Sequence, residues 1–203
     1  GPSASAVTYQ LENGDVIVAE NEKGAFSYQN TANGKTDDVY VDQDTKDNGQ
    51  IIIKQAEGTT TDNTVTVEEN VTNKNGDRDV DIIIDGVNVD TSDTSTSTDT
   101  PTEVSADNKE DKTIIKVGEG ADVDLTVKDS KLTTGGNGID IGVNLKDDDD
   151  NKETNVDLTL DNTHINLTEK ANTAGIVARD NSTVDVTLKG ENTQPQCGRH
   201  PRR

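Results

Sequence analysis

Apolar and polar residues alternate along Val156-Asp157-Leu158-Thr159-Leu160. The pattern returns at Val80-Asp81-Ile82-Ile83-Ile84, Val123-Asp124-Leu125-Thr126-Val127 and Val184-Asp185-Val186-Thr187-Leu188. A period of two predicts half-buried strands, because successive side chains point to opposite faces. Val156, Leu158 and Leu160 are expected to face inward, with Asp157 and Thr159 outward. Each copy runs into a turn-type residue, at Gly86, Asp129, Asn162 and Gly190. A second short inward position follows at Val89, Leu132 and Ile165.

A further strand column precedes the later copies: Thr113-Ile114-Ile115-Lys116-Val117, Ile139-Asp140-Ile141-Gly142-Val143 and Ala174-Gly175-Ile176-Val177-Ala178. Ile51-Ile52-Ile53-Lys54-Gln55-Ala56-Glu57-Gly58 closely echoes Ile114-Ile115-Lys116-Val117-Gly118-Glu119-Gly120. The copies start 43, 33 and 28 residues apart. A repeat that varies in length only between its strands predicts a solenoid with loops inserted at its corners. An antiparallel sandwich would also give short alternating strands. Register kept over about ten columns favours the solenoid. Val65 and Val80 lie too close to begin the same column, so one belongs to another side of the coil.

This reading divides the chain. Residues 1–4 contain Gly1-Pro2-Ser3, which reads as a protease scar of recombinant expression, so a native leader could have been cut away. Residues 5–50 are expected to form an N-terminal cap or first coil. Val7–Leu11, Asp15–Ala19 and Asp38–Val41 read there as strands, and Asn13-Gly14 and Asn33-Gly34 as turns. All the aromatics, Tyr9, Phe26, Tyr28 and Tyr40, gather in this segment and suit cap packing over an exposed platform. Residues 51–193 hold the solenoid coils. They are broken by polar insertions at 92–112 and at Lys146-Asp147-Asp148-Asp149-Asp150-Asn151-Lys152-Glu153. The last coil stops near Thr193, so the array is expected to continue in the natural protein. Residues 194–203, with Cys197 and three arginines, read as a foreign tail.

Composition sharpens this picture. Only 28% of the 203 residues are hydrophobic and the net charge is −21, values that lean towards disorder. A solenoid escapes that outcome by stacking a thin continuous apolar stripe. Without the three tail arginines the basic count falls to 16 against 40 acids, a charge of −24. Such a surface repels nucleic acid and anionic membrane, and suits cations or basic partners. A single cysteine excludes a disulfide framework. No apolar run reaches membrane-spanning length, so no membrane insertion is expected.

The candidate chemistry is carboxylate chemistry. In a parallel stack, Asp81, Asp124, Asp157 and Asp185 would form a ladder about 4.8 Å apart. Stacked like charges are unfavourable and invite a counter-cation. Four residues on, Asp85, Lys128, Asp161 and Lys189 alternate in sign. The run Asp147, Asp148, Asp149 and Asp150 is a second candidate for Ca2+, since hard oxygen ligands suit that ion. Clustered acids in one loop rarely all turn inward, and a solvated face is the bland alternative for both sets. Asp42-Gln43-Asp44-Thr45-Lys46-Asp47-Asn48-Gly49 has a weak calcium-loop pattern, spoiled by Lys46 at a ligand position. His164 shares a polar column with Asn88 and Lys131 and reads as a surface residue. No catalytic constellation stands out, so no enzyme activity is expected and no cofactor beyond Ca2+.

The Val156–Asn162 strand with its copies, and the Ala174–Ala178 strand, resemble right-handed parallel β-helix domains of bacterial cell-surface proteins. The resemblance covers residues 51–193. It implies an all-β, right-handed parallel β-helix, pectate-lyase-like in architecture. That class includes adhesins, polysaccharide-binding modules and lyases that use acidic clusters, often with Ca2+. The leading expectation is a non-enzymatic, monomeric module of an extracellular bacterial surface adhesin, meeting a host surface protein or glycan. A Ca2+-dependent polysaccharide binder or lyase is the second, and a structural stalk the third.

Overall fold

The alternating stretches become strands whose apolar positions share one face. The computed structural model describes residues 6–20, 26–30, 49–71, 80–92, 112–149, 151–168 and 172–192. In chain order the strands are β1 (Ala6–Gln10), β2 (Val16–Glu20), β3 (Phe26–Asn30), β4 (Gly49–Lys54), β5 (Val65–Val67), β6 (Val80–Asp85), β7 (Asn88–Asp90), β8 (Ile115–Gly118), β9 (Asp122–Lys128), β10 (Lys131–Thr134), β11 (Ile139–Val143), β12 (Thr154–Asp161), β13 (His164–Leu167), β14 (Ile176–Ala178) and β15 (Ser182–Lys189). Among the described residues the only helical element is a 3-10 turn, Leu11–Asn13. No helix there is long and apolar enough to cross a membrane.

The strands form three sheets. The first runs β1-β4-β6-β9-β12-β15, the second β13-β10-β7, and the third β14-β11-β8-β5-β2-β3. Every pairing is parallel except β2 with β3. From β6 onward the chain visits the first, second and third sheets in turn, then begins the next circuit. In the preceding circuit the second sheet is represented by Thr61, bridged to Val89.

Register follows the repeat. Asp81, Asp124, Asp157 and Asp185 are direct partners along the first sheet. Inward columns run Ile51, Ile82, Leu125, Leu158, Val186 and Ile53, Ile84, Val127, Leu160, Leu188. Val89, Leu132 and Ile165 form the matching column of the second sheet. Val16, Val65, Ile115, Ile139 and Ile176 form one in the third. From Val16 and Ile51 to Leu160 and Ile165 these side chains belong to one core cluster with Tyr9, Ile176 packs against it, and Val186 and Leu188 on β15 are exposed. Each fully buried Val, Leu or Ile contributes about 1.5–3 kcal/mol of transfer free energy. That is how so polar a chain holds together.

The corners explain the turn-type residues. Gly86, Asp129, Asn162 and Gly190 all have left-handed φ, at 71°, 49°, 47° and 65°. Gly, Asn and Asp are the residues that visit this region at least cost. The ladder continues around the bend: Gly86 N donates to Lys128 O at 3.0 Å and Asp129 N to Asp161 O at 2.9 Å. Buried side chains close the corner, with Ser130 Oγ accepting from Val87 N at 3.1 Å and Thr163 Oγ1 donating to Val127 O at 2.9 Å.

Two column assignments are resolved. Val65 lies in the third sheet beside Val16 and Ile115, whereas Val80 lies in the first beside Gly49. The echo between Ile51-Ile52-Ile53 and Ile114-Ile115 joins different sheets: Ile51 pairs with Ile82, and Ile115 with Val65 and Ile139. It is not a column, because an inward β-branched run suits either sheet. At the N-terminal side, β1 and β2 join the first and third sheets, and β3 lies antiparallel along β2. The expected strand at 38–41, the Asn33-Gly34 turn and the bulk of the 92–112 insertion lie outside the described residues.

The sign-alternating column is also in register. Lys128 opposes Asp85 and Asp161, and Asp161 opposes Lys189. Lys54 and Lys128 each bring Nζ to Asp85 Oδ2, at 3.9 and 3.8 Å. Lys128→Glu would set three acids in consecutive rungs. The expected result is a stability loss of about 1 kcal/mol at low salt, shrinking in about 1 M salt. Urea denaturation midpoints at the two salt concentrations check it.

Candidate metal centre and its cleft

A corner column not evident from the strand repeat carries the densest chemistry. Val67 of β5 opposes Val117 of β8. Two residues beyond each stand Glu69 and Glu119, both 7% exposed. The chain then turns sharply, with φ of 65° at Asn70 and 81° at Gly120. Asn70 N donates to Glu119 O at 3.2 Å, and Glu119 N to Val143 O at 2.9 Å, so the corners stack. Gly118 lets Glu69 sit close: a Cβ there would lie 2.6 Å from Glu69 N.

The next circuit departs from this corner. Val143 opposes Gly118, and Gly142 is left over as a bulge with φ of 87°. Bulges of this kind re-aim a strand end. The chain leaves at Asn144, and Glu69 Oε2 accepts from Leu145 N at 2.6 Å and Lys146 N at 3.0 Å. Asn144 then folds the loop back. Its Nδ2 donates to Asp148 O at 2.8 Å, and its Oδ1 accepts from Asp148 N at 3.2 Å. As a result Glu69, Glu119 and Asp148 each offer an oxygen within 4.8 Å of the others. Glu119 and Asp148 line a cleft of about 490 Å³, together with Asn144, Asp149, Arg179 and Asp180.

Glu119 is the exceptional member. Its Oε1 is buried without a hydrogen-bond partner. Its carboxyl is pushed above the ordinary 4.5, first by burial, then by the charges of Glu69 and Asp148 and a hydrogen bond with Asp148, while Lys152 opposes the shift. The folded state therefore holds this proton more tightly than the unfolded chain does. Its contribution to stability is present below pH 4.5 and is lost as pH rises through the raised value. With chelator present, Glu119→Gln is expected to flatten that decline and to stabilise the chain at neutral pH. Thermal melts of both chains between about pH 4.5 and pH 8 check it.

On the far side of the cleft, Arg179 grips Asp140. Its Nε and Nη2 donate to the two carboxylate oxygens, each at 2.8 Å. Asp140 is 3% exposed and also accepts from Asn137 Nδ2 at 3.3 Å.

Comparison with family models, with curated proteins and with solved structures finds no match. The site is therefore read from its own chemistry.

Of the residues singled out in the sequence, Asp148 joins the three-carboxylate group and Asp149 lines the cleft. Asp147 is exposed with φ of 52°, and Asp150 lies outside the described residues. Asp81, Asp124, Asp157 and Asp185 stand one per rung on the outward face of the first sheet. His164 is exposed, beside Lys131 in its rung. Of the weak calcium-loop pattern at 42–49, Gly49 is described, as the first residue of β4, and the rest lies outside the described residues. Glu69, Glu119, Asp140 and Arg179 escaped the sequence reading. The signal for the glutamates was the column two residues past Val67 and Val117, where both copies carry Glu.

Proposed function

We propose that the circuits are coils of a right-handed parallel β-helix, and that the chain is a non-enzymatic module displayed on a bacterial surface. On this reading it meets a host protein or glycan through the loops that leave its corners. The observation that carries it is the division between constant faces and interrupted corners. The outward face of the first sheet repeats Asp from β6 to β15 and Thr from β9 to β15. Among the described residues, two departures from the repeat begin between strands, after β7 and after β11. One leaves after Thr91, whose Oγ1 donates to Lys112 O at 2.5 Å and ties the two ends of the insertion together. The other leaves at Asn144 and is held by Glu69. Loops set on a rigid repeat are where solenoids place recognition. A net charge of −21 favours a basic or cation-bridged partner over nucleic acid.

The test is binding of the whole chain to arrays of host extracellular proteins and glycans. Saturable binding is expected, lost when 93–111 or 144–153 is replaced by a short turn. Absence of binding, or binding indifferent to both replacements, overturns the reading.

A second reading is a Ca2+-dependent polysaccharide binder or lyase. It is favoured by Glu119 and Arg179 lining one cleft, an acid and a cation of the kind that handles uronate polymers. It predicts retention on an insoluble uronate polymer, or unsaturated products from it, in the presence of Ca2+.

A further inference from the structure

Acidic residues are common on this chain, and acidity alone distinguishes none of them. Burial does. Glu69 and Glu119 are each 7% exposed, and a carboxylate is kept from water only where something compensates its charge. For Glu69 that compensation is visible in two backbone N–H groups on Oε2. For Glu119 it is not, because Oε1 is enclosed with no hydrogen-bond donor.

We propose that Glu69, Glu119 and Asp148 bind one divalent hard cation, Ca2+, which clips the loop at 144–149 onto the corners after β5 and β8. The assignment does not depend on what the loops recognise. Several features fit it. Two oxygens across a Ca2+ ion stand about 4.6–5.2 Å apart at most, given its 2.3–2.6 Å ligand distances. The three carboxylates fall within 4.8 Å of one another. With all three carboxylates ionised and Lys152 acting on Glu119, a charge of −2 is left for the cation to neutralise. The ligands are all oxygen, which disfavours zinc and copper. Asp148 is exposed and the cleft is open to water, so an irregular shell can be completed by solvent; Ca2+ accepts that, whereas Mg2+ demands near-octahedral geometry. A shared proton would relieve the contact between Glu119 and Asp148 but leave Glu119 Oε1 bare. A cation serves all three groups at once.

The experiment is calorimetric titration of the chelator-stripped full chain with Ca2+, then with Mg2+, alongside thermal melts and limited proteolysis of the 144–149 loop. The expected result is one Ca2+ site per chain, at least about tenfold selective over Mg2+, with a raised melting temperature and slower cleavage of the loop. Glu119→Gln and Asp148→Asn should each weaken binding at least about tenfold, while the double change Asp157→Asn/Asp185→Asn leaves it unchanged. Asp148 is exposed, so its variant keeps the test open even where Glu119→Gln disturbs the fold. No saturable binding up to about 10 mM Ca2+ overturns the proposal. So does binding that Asp148→Asn leaves intact, or that the outward-ladder change weakens equally. None of these readouts uses a host ligand, so failure here leaves the display reading to its own test.

Discussion

Leu125→Ala is expected to cost about 2–5 kcal/mol of stability, whereas Val186→Ala costs under about 0.5 kcal/mol. The two residues occupy the same inward column. Leu125 is wholly buried, with Ile82 and Leu158 on its two sides. Truncating it removes transfer free energy and leaves a cavity that neighbouring rungs cannot close, because they are pinned by their own backbone pairing. Val186 sits on β15, the last strand of its sheet among the described residues, and is 46% exposed. Its methyls are already partly in water. Urea denaturation midpoints for the two variants check the contrast, and equal losses would refute the column description.

Arg179→Ala is expected to cost about 2–3 kcal/mol, and Asp140→Asn distinctly less. The asymmetry follows from burial. Asp140 is 3% exposed, while the Arg179 side chain is 50% exposed. Removing the arginine strands a buried charge with only the Asn137 amide and the neighbouring Lys116 rung to face. Removing the charge from Asp140 leaves an arginine that rehydrates readily. The half-exposure of Arg179 keeps the first figure below that of a fully enclosed pair. A double-mutant cycle with chemical denaturation measures the coupling, and a coupling near zero would show the pair to be incidental.

Much of the fold was legible because each layer of the pattern agreed with the next. The alternation in Val156–Leu160 gave the face, Asn162 gave the bend, and Ile165 gave the following strand. What failed was the echo at Ile51 and Ile114, where letters alone decided. A β-branched inward run fits any sheet, and only hydrogen-bond register distinguishes them. The carboxylate cluster was hidden for another reason. Glu69 and Glu119 share a corner column with only two copies, and the third circuit replaces it with the bulge at Gly142 and the loop from Asn144. The tetra-Asp run was visible, but that Asp148 comes near the two glutamates depends on Asn144 bracketing it. Asp140 stands in the sequence only as part of the Ile139–Val143 strand, with no role of its own. Its burial is made by Arg179, which lies on the next circuit, 39 residues along the chain.

The outward aspartates have a consequence for what this molecule does in a crowd. Parallel, in-register stacking of like residues is also the geometry of amyloid fibrils. Among the described residues β15 is the last strand of its sheet, and Val186 and Leu188 there are exposed, Leu188 at 64%. A second molecule adding in the same register would set its own Asp beside Asp185, extending a row of like charges with no covalent tether to hold it. The ladder that the chain tolerates within itself is thereby a barrier to growth between chains. That barrier should weaken as acid brings the net charge of −21 towards zero, and light scattering across a pH series is expected to rise on acidification.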